Sequence, residues 1–566
     1  MKKIFSLILV LVMIVSTTAC RSSADSTETQ SATAAGTTQA AETKAEAEPQ
    51  TEAAAESENS AGALENPERY GGVLNVAYTL NLGKTLDPLH TTGWKMYIWT
   101  NYVFENILTR SADGMPQPGV CDFESSDDQL TLKLWVREGK KFHNGDAVTI
   151  DDVVASIDRF LYSTLRKNFN DEIESVEVND GVATYKFKEF NLLTMEYFTR
   201  NQTWAVVMPK SICEKYGENP VTDVADCIGT GPYKVTEFTP EVMVGMEKFE
   251  DYIPMPNEAG GMADARYGYM DKINVWLNTD SNSSTMALLN GEYDICRIPN
   301  EFDETAAGSG MQKFNFYAGV SDLYLAFNTK GNRPVAKDVN LRKAIVAALD
   351  MPECVTAEAQ ASGALDVVID SCPMGETTQY YYNGFNTEDY IGSANVELAK
   401  QYLEAAHYNG EEIILLVNTG STYKIDVVAE SYLRAAGINV TLKYVEGGSF
   451  DDFIKNVDDY DMVFLTSAIN QFDPATLTAS QKSTYWANDH KDELFDQLTQ
   501  CKVNSEESFK IWDELKQIWI DDCATVMFGY FAEGWTADGD LVLNQDDDAQ
   551  WTFFVNSYWK NPADHQ

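Results

Sequence analysis

The sequence predicts an α/β protein of more than one lobe, and three observations carry that expectation. The chain has 566 residues, more than one ordinary domain holds. From about residue 320 strands alternate with helices, the pattern of right-handed crossovers and a parallel, doubly wound sheet. Apolar residues make up 44% and aromatic residues 11% of the chain, enough for most of it to bury a core.

The elements follow in order. The opening "MKKIFSLILVLVMIVSTTAC" has Lys2 and Lys3 before an apolar run at 4–15 that is too short to span a bilayer, then small residues leading to Cys20. That arrangement resembles a bacterial lipoprotein signal (1–20), with Cys20 lipidated and the chain anchored on the outer side of the cell membrane. The alternative is plain secretory cleavage beside an incidental cysteine. Residues 21–66 are almost all Ala, Thr, Ser, Glu and Gln with no aromatic residue, so they cannot offset their ordering entropy and read as a disordered tether.

The body opens on a glycine turn and an alternating strand, with Val73, Asn75 and Ala77 on one face and Leu74, Val76 and Tyr78 on the other. In "MYIWTNYVFENIL", Ile98, Tyr102, Val103 and Ile107 recur at helical spacing. "DQLTLKLWVREGKKF" is a strand with Leu130, Leu132, Leu134 and Val136 on one face. The next segment, "KKFHNGDAVTIDDVVASIDRF" (140–160), sets His143 among Asp146, Asp151 and Asp152 and invites a catalytic reading. Its pattern is a helix start. Asn144-Gly145 is a turn, Thr149 an N-cap with Asp152 three residues on, and both early aspartates favour the helix dipole. "CIGTGPYKV" is a glycine turn entering a strand, without the Lys-Ser/Thr pair of a phosphate loop.

Beyond residue 320, "LRKAIVAALDM" and "NVELAKQYLEAAHYNG" are amphipathic helices, the second capped by Asn395 and stopped at Asn409-Gly410. Strands follow at 413–418, 438–445 and 461–467, with helices at 422–436, stopped by Gly437, and near 449–457. Ligands of such sheets bind beyond the carboxyl ends of the strands, which selects the loops 418–423 and 467–474. "STYWANDHKDELFDQL" adds Tyr485 and Trp486 ahead of a helix as aromatic candidates.

Charge and cysteine usage exclude other classes. Against 42 Lys and Arg stand 87 Asp and Glu, a net charge of −45, which argues against nucleic acid or anionic lipid as partners. The acidity serves solubility or favours cationic ligands. Cys121, Cys213, Cys227, Cys296, Cys354, Cys372, Cys501 and Cys523 contain no CxxC, so zinc has no support, and a fold this large does not require the nearest pairs, Cys213–Cys227 and Cys354–Cys372, as disulfides. His90, His143, His407, His490 and His565 are scattered, leaving no histidine metal or haem site. No G-x-S-x-G, H-E-x-x-H or calcium-loop pattern occurs; paired carboxylates for glycoside cleavage keep an extracellular hydrolase as a remote alternative.

Taken together, "TLDP" (85–88), "VFENIL…DG…PQPGV" (103–120), "LKLWVREGKKFHNGDAVTIDDVVASIDRF" (132–160), "IGTGPYK" (228–234) and "LYLAFNTKGNRPVAKDVNLRKAIVAALD" (323–350) resemble the extracellular solute-binding proteins of the peptide/nickel ABC importer family, its family 5. The resemblance implies a two-lobed periplasmic-binding-protein-like fold, class II type with an inserted subdomain, hinge-linked. Lobe 1 would span 67–317 with the insert at about 106–200, lobe 2 would span 318–527, and 528–566 would return to lobe 1. It implies a monomeric, non-enzymatic lipoprotein without cofactor that closes on a small solute, a peptide or an oligosaccharide, and docks on ABC permease subunits. A sensor or receptor lipoprotein reusing the fold is the alternative of a different class.

By the same resemblance, Thr92, Gly93, Trp94 and Tyr97 would line the cleft from lobe 1, and Ser467, Asn470, Phe472, Asp473 and Trp486 from lobe 2. In peptide-binding members an aspartate three residues before the acidic residue of a D/E-P pair holds the ligand's ammonium. Counting back from Asp473-Pro474 gives Asn470, and a tryptophan further upstream is replaced by Ser467. An amide lacks the charge that roughly doubles such a bond, which puts free-amine peptides in doubt and suits a neutral polar solute equally well.

Overall fold

The computed structural model describes residues 66–78, 82–90, 97–111, 115–162, 172–191, 198–199, 205–254, 263, 265–361, 367–374, 378–385, 392–418, 424–446, 450–468, 474, 485–543 and 556–566. Residues 1–65, with Cys20 and all of the expected tether except Asn66, lie outside them. Leu64–Gln566 form one compact unit.

Among the described residues an eleven-stranded sheet runs through the body. Its order is Val440–Val445, Ile413–Asn418, Met462–Ala468, Gln312–Phe327, Thr525–Ala537, Ile295–Cys296, Val73–Tyr78, Lys272–Leu277, Met243–Lys248 and Tyr233–Thr239, with Val367–Val368 paired to Thr525–Ala537 off this path. The three strands expected in the C-terminal half are parallel, with Ile413 opposite Val440 and Leu415 opposite Met462. A separate four-stranded antiparallel sheet joins Cys121–Ser125, Thr131–Val136, Val182–Phe187 and Ile173–Asn179.

The apolar side chains divide into separate cores, and this division is the two-lobed architecture. One core holds Leu74, Val76, Trp99, Tyr233, Ile273, Phe314 and Trp535. The helix Ile150–Tyr162 and the four-stranded sheet close a core of their own around Leu132, Leu134, Val153, Ile157 and Tyr185. The other lobe packs Leu323, Ile345, Leu415, Leu433, Phe528 and Phe531 on one side of its sheet, and Trp486, Phe495, Trp512 and Trp519 on the other. The long strands Gln312–Phe327 and Thr525–Ala537 therefore pass from one core to the other between Phe314 and Leu323, and between Phe531 and Trp535. Over that stretch their pairing jumps from Phe316–Glu533 to Ser321–Phe531, a bulge that can absorb a change in backbone angles.

Local signals hold where their partners are local. Thr149 and Asp152 form the reciprocal capping box: the Asp152 carboxylate accepts from the Thr149 N–H at 2.9 Å, and Thr149 Oγ1 accepts from the Asp152 N–H at 3.4 Å. Asn395 caps Val396–Ala405 by accepting from the Leu398 N–H at 3.0 Å. That helix ends at Ala405, ahead of Asn409-Gly410, because His407 already takes the left-handed conformation at φ 51°. Ile107 is not helical. The helix Tyr97–Val103 stops before it, and the Ile107 N–H bonds the Ala205 carbonyl at 2.8 Å, joining the core beneath the four-stranded sheet. Ala77, on the face opposite Tyr78, is buried as well, since the helix Ser281–Leu289 covers it through Leu288. The eight cysteines of the body are buried.

Candidate functional site

The approach to the cleft from lobe 1 is fixed by a buried ion pair. Asp87, of the "TLDP" stretch, is 0% exposed. Its carboxylate accepts from Arg159 of the helix Ile150–Tyr162, Nη1 at 3.2 Å and Nη2 at 2.5 Å, and from the N–H groups of Val221 and Leu89 at 3.0 Å each. Each lone pair of a desolvated charge thus has a donor, which is what makes its burial tolerable. The chain leaves this clamp at His90 towards Thr92, Gly93 and Trp94, which lie outside the described residues. Tyr97 begins the helix Tyr97–Val103.

That helix is seated by the "IGTGPYK" turn. The Gly231 N–H donates to the Val103 carbonyl at 3.0 Å. A Cβ on Gly229 would stand 2.1 Å from the Val103 carbonyl oxygen and one on Gly231 would stand 2.4 Å from that of Tyr102, so only glycine permits the approach. His143 locks the turn. Its Nδ1 accepts from the Gly229 N–H at 3.2 Å, which leaves the proton on Nε2 to donate to the Gly231 carbonyl at 3.0 Å. Burial pushes this imidazole down to about 4, so it stays neutral at physiological pH. Beside it Glu105, 1% exposed, accepts from Lys140 Nζ at 2.9 and 3.0 Å and from the Tyr252 hydroxyl at 3.1 Å. His143, Asp146, Asp151 and Asp152 are scaffold: Asn144 donates to Asp146, Lys210 pairs with Asp151 and Thr149 with Asp152.

From lobe 2 the parallel strands end at the same edge, Asn418 level with Val445 and the third strand running on to Ala468. Ser467 lies one residue before the end of Met462–Ala468, its backbone opposite Asp322 of the long hinge strand. Asn470, Phe472, Asp473 and the loop 419–423 fall outside the described residues, while Pro474 is buried. Trp486 is 0% exposed. Its Nε1–H donates to Asp522 at 2.8 Å, Trp519 meets it edge-on at 5.2 Å, and Lys491 Nζ sits 4.6 Å from the ring centre. The indole is a core pillar with no face open to a solute.

Sequence reasoning missed a charged cluster at this end of lobe 2. Asp426 stands in the first turn of Ile425–Ala435, directly after the 419–423 loop, and is 3% exposed. Its Oδ2 is buried without a hydrogen-bond partner. Burial, and then the neighbouring Glu358, push its carboxyl up to about 7. Glu358, in Met351–Ala361 and 2% exposed, is raised by burial as well, while the N–H groups of Lys424 and Ile425 and the charge of Arg297 hold it back. Arg297 directly follows the strand Ile295–Cys296. An aspartate early in a helix was legible; its burial beside a second acid was not.

The profile of "Bacterial extracellular solute-binding proteins, family 5 Middle" matches residues 111–489. The oligopeptide-binding protein OppA of Bacillus subtilis is 23% identical over 499 residues, 81% of this chain and 87% of OppA. The structure of the oligopeptide-binding protein AppA of Bacillus subtilis in complex with a nonapeptide superposes with a TM-score of 0.67 at 20% identity, covering 87% of this chain and 99% of AppA. The structure of the A. tumefaciens R10 binding protein AgaA with agropinic acid gives 0.68 at 22% identity, covering 86% and 99%. With a divided core, a hinge of two long strands and a family profile over most of its body, this chain belongs to the bacterial extracellular solute-binding proteins of family 5.

Proposed function

We propose that this protein is the capture component of an ABC importer: a monomeric lipoprotein that closes two lobes on a peptide or another small polar solute and delivers it to a membrane permease. The observation that carries this is the long strand pair shared by two separate cores, irregular in register where it crosses between them. Solute that touches both faces stabilises the closed form by its differential contacts, and no bond in the solute is made or broken. Thr92, Gly93, Trp94 and Tyr97 line one wall, and Ser467, Asn470, Phe472 and Asp473 the other. Cys20 carries the lipid, and residues 21–66 let the body range about 40 Å from the membrane.

Asn470 favours a second reading of the ligand, a neutral polar solute such as an oligosaccharide, since an ammonium desolvated without a counter-charge costs several kcal/mol. A thermal-shift screen of peptides, oligosaccharides and metal chelates tests both. A true ligand at 100 times its Kd adds about 2.7 kcal/mol in a saturable way; no shift across all three classes contradicts capture. Asn470→Asp moves preference towards free amines if the residue faces the solute, and an unchanged profile removes it from the wall. Cys20→Ser releases the protein from membranes, and retention there contradicts the anchor.

A further inference from the structure

A turn of the insert and a turn of lobe 2 meet outside the hinge. The first, between the strands Cys121–Ser125 and Thr131–Val136, is built rigidly. Ser126 Oγ donates to Asp128 at 2.6 Å, the Leu130 N–H donates to Asp128 at 3.1 Å, the Gln129 N–H donates to the Ser126 carbonyl at 2.8 Å, and Gln129 holds a left-handed φ of 56°. The second, between the helices Asp489–Thr499 and Glu506–Asp522, is equally fixed. The Asn504 N–H donates to the buried Tyr380 hydroxyl at 2.7 Å, and Ser505 caps the following helix. Between the turns Lys502 Nζ donates to the Asp127 carbonyl at 2.7 Å. Its charge also helps to hold the Asp128 carboxyl below the usual range, after the Ser126 hydroxyl and the Leu130 N–H.

We propose that Lys502 and the 126–130 turn form a clasp that the lobes engage on closing, so that the insert sets how long the cleft stays shut. The inference rests on the closure reading above. Two turns already ordered by their own hydrogen bonds lose little entropy on meeting. The bond is solvent-exposed and charge-assisted, so it shifts the closed-to-open ratio only modestly, about two- to fivefold, and salt weakens it. Because the acceptor is a backbone carbonyl, substitutions of Asp127 matter less than substitutions of Lys502.

The test uses the purified full chain in detergent without added solute. Carbodiimide treatment and peptide mapping should recover an amide between Lys502 and Asp127 or Asp128, absent in Lys502→Gln, with the pair Lys133–Glu124 at 2.9 Å as the coupling control. All eight body thiols are buried, so dyes on Glu177→Cys and Glu404→Cys report lobe separation by energy transfer. Lys502→Gln should lower the closed-to-open ratio about two- to fivefold at low salt, and Lys502→Arg should restore it. Coupling at Lys133 without coupling at Lys502, or a ratio unchanged in Lys502→Gln, overturns the clasp. A failed ligand screen would instead strike the capture reading and leave the mapped contact standing.

Discussion

Two helices of this protein begin with the same sequence pattern and meet opposite fates. Ile150–Tyr162 opens with Asp151 and Asp152 exposed or half-buried, one of them closing a capping box with Thr149. Ile425–Ala435 opens with Asp426, which is buried, lacks a partner for Oδ2 and feels the charge of Glu358. Near the first helix stands His143, whose histidine-aspartate company looks catalytic and is scaffold. Near the second the sequence singled out only the preceding loop 418–423, yet there the chain keeps an acidic pair out of water. An acid in a first turn is a dipole complement when wet and a perturbed group when dry; burial decides which, and burial is set by residues far away in sequence.

The contrast can be broken by substitution, in order of expected effect. Removing one partner of the clamp that supports the first helix, as in Arg159→Met, leaves Asp87 charged and buried and should cost about 3–5 kcal/mol, read as a large fall in Tm. A loss of only a degree or two would mean that Asp87 is not held by that pair.

The two ionisable groups should then slope in opposite directions with pH. Asp426 is raised from about 3.9 in the unfolded chain to about 7, so its stabilisation is full below the unfolded value and is lost as pH rises through 7. Asp426→Asn should therefore raise stability at pH 8 by an amount on the order of 2–4 kcal/mol, read as a higher Tm, and change little at pH 4. Asp294, raised by burial to about 6, adds to the same falling limb. His143 is lowered from about 6.5 to about 4, so its contribution is present above the unfolded value and is lost as pH falls to 4. His143→Gln should flatten that acid limb by about 3 kcal/mol. Parallel pH profiles for wild type and either variant would contradict the assignment. The smallest effect belongs to Thr149→Ala, about 1 kcal/mol for a lost cap, and no change would show the box to be idle.

What the sequence made legible follows the same division. The capping box, the Asn395 cap and the three parallel strands were readable because their signals are short-range or periodic. Ile107 kept helical spacing yet left the helix, because a bond to Ala205, 98 positions on, won. Trp486 read as an aromatic candidate for the wall and is buried, enclosed by Asp522 and Trp519. Glu358 and Asp426 come from two helices more than sixty residues apart, and no local pattern announces their burial near each other. The two-lobed fold was recognisable through motif order, and its physical cause, two cores on one strand pair, needed coordinates.

Small-angle scattering of the soluble body, with and without the compound giving the largest thermal shift, tests the central claim most directly. Closure of the two lobes on a bound solute predicts a smaller radius of gyration in the saturated sample and the original value after dialysis. Identical scattering curves at saturation would contradict it.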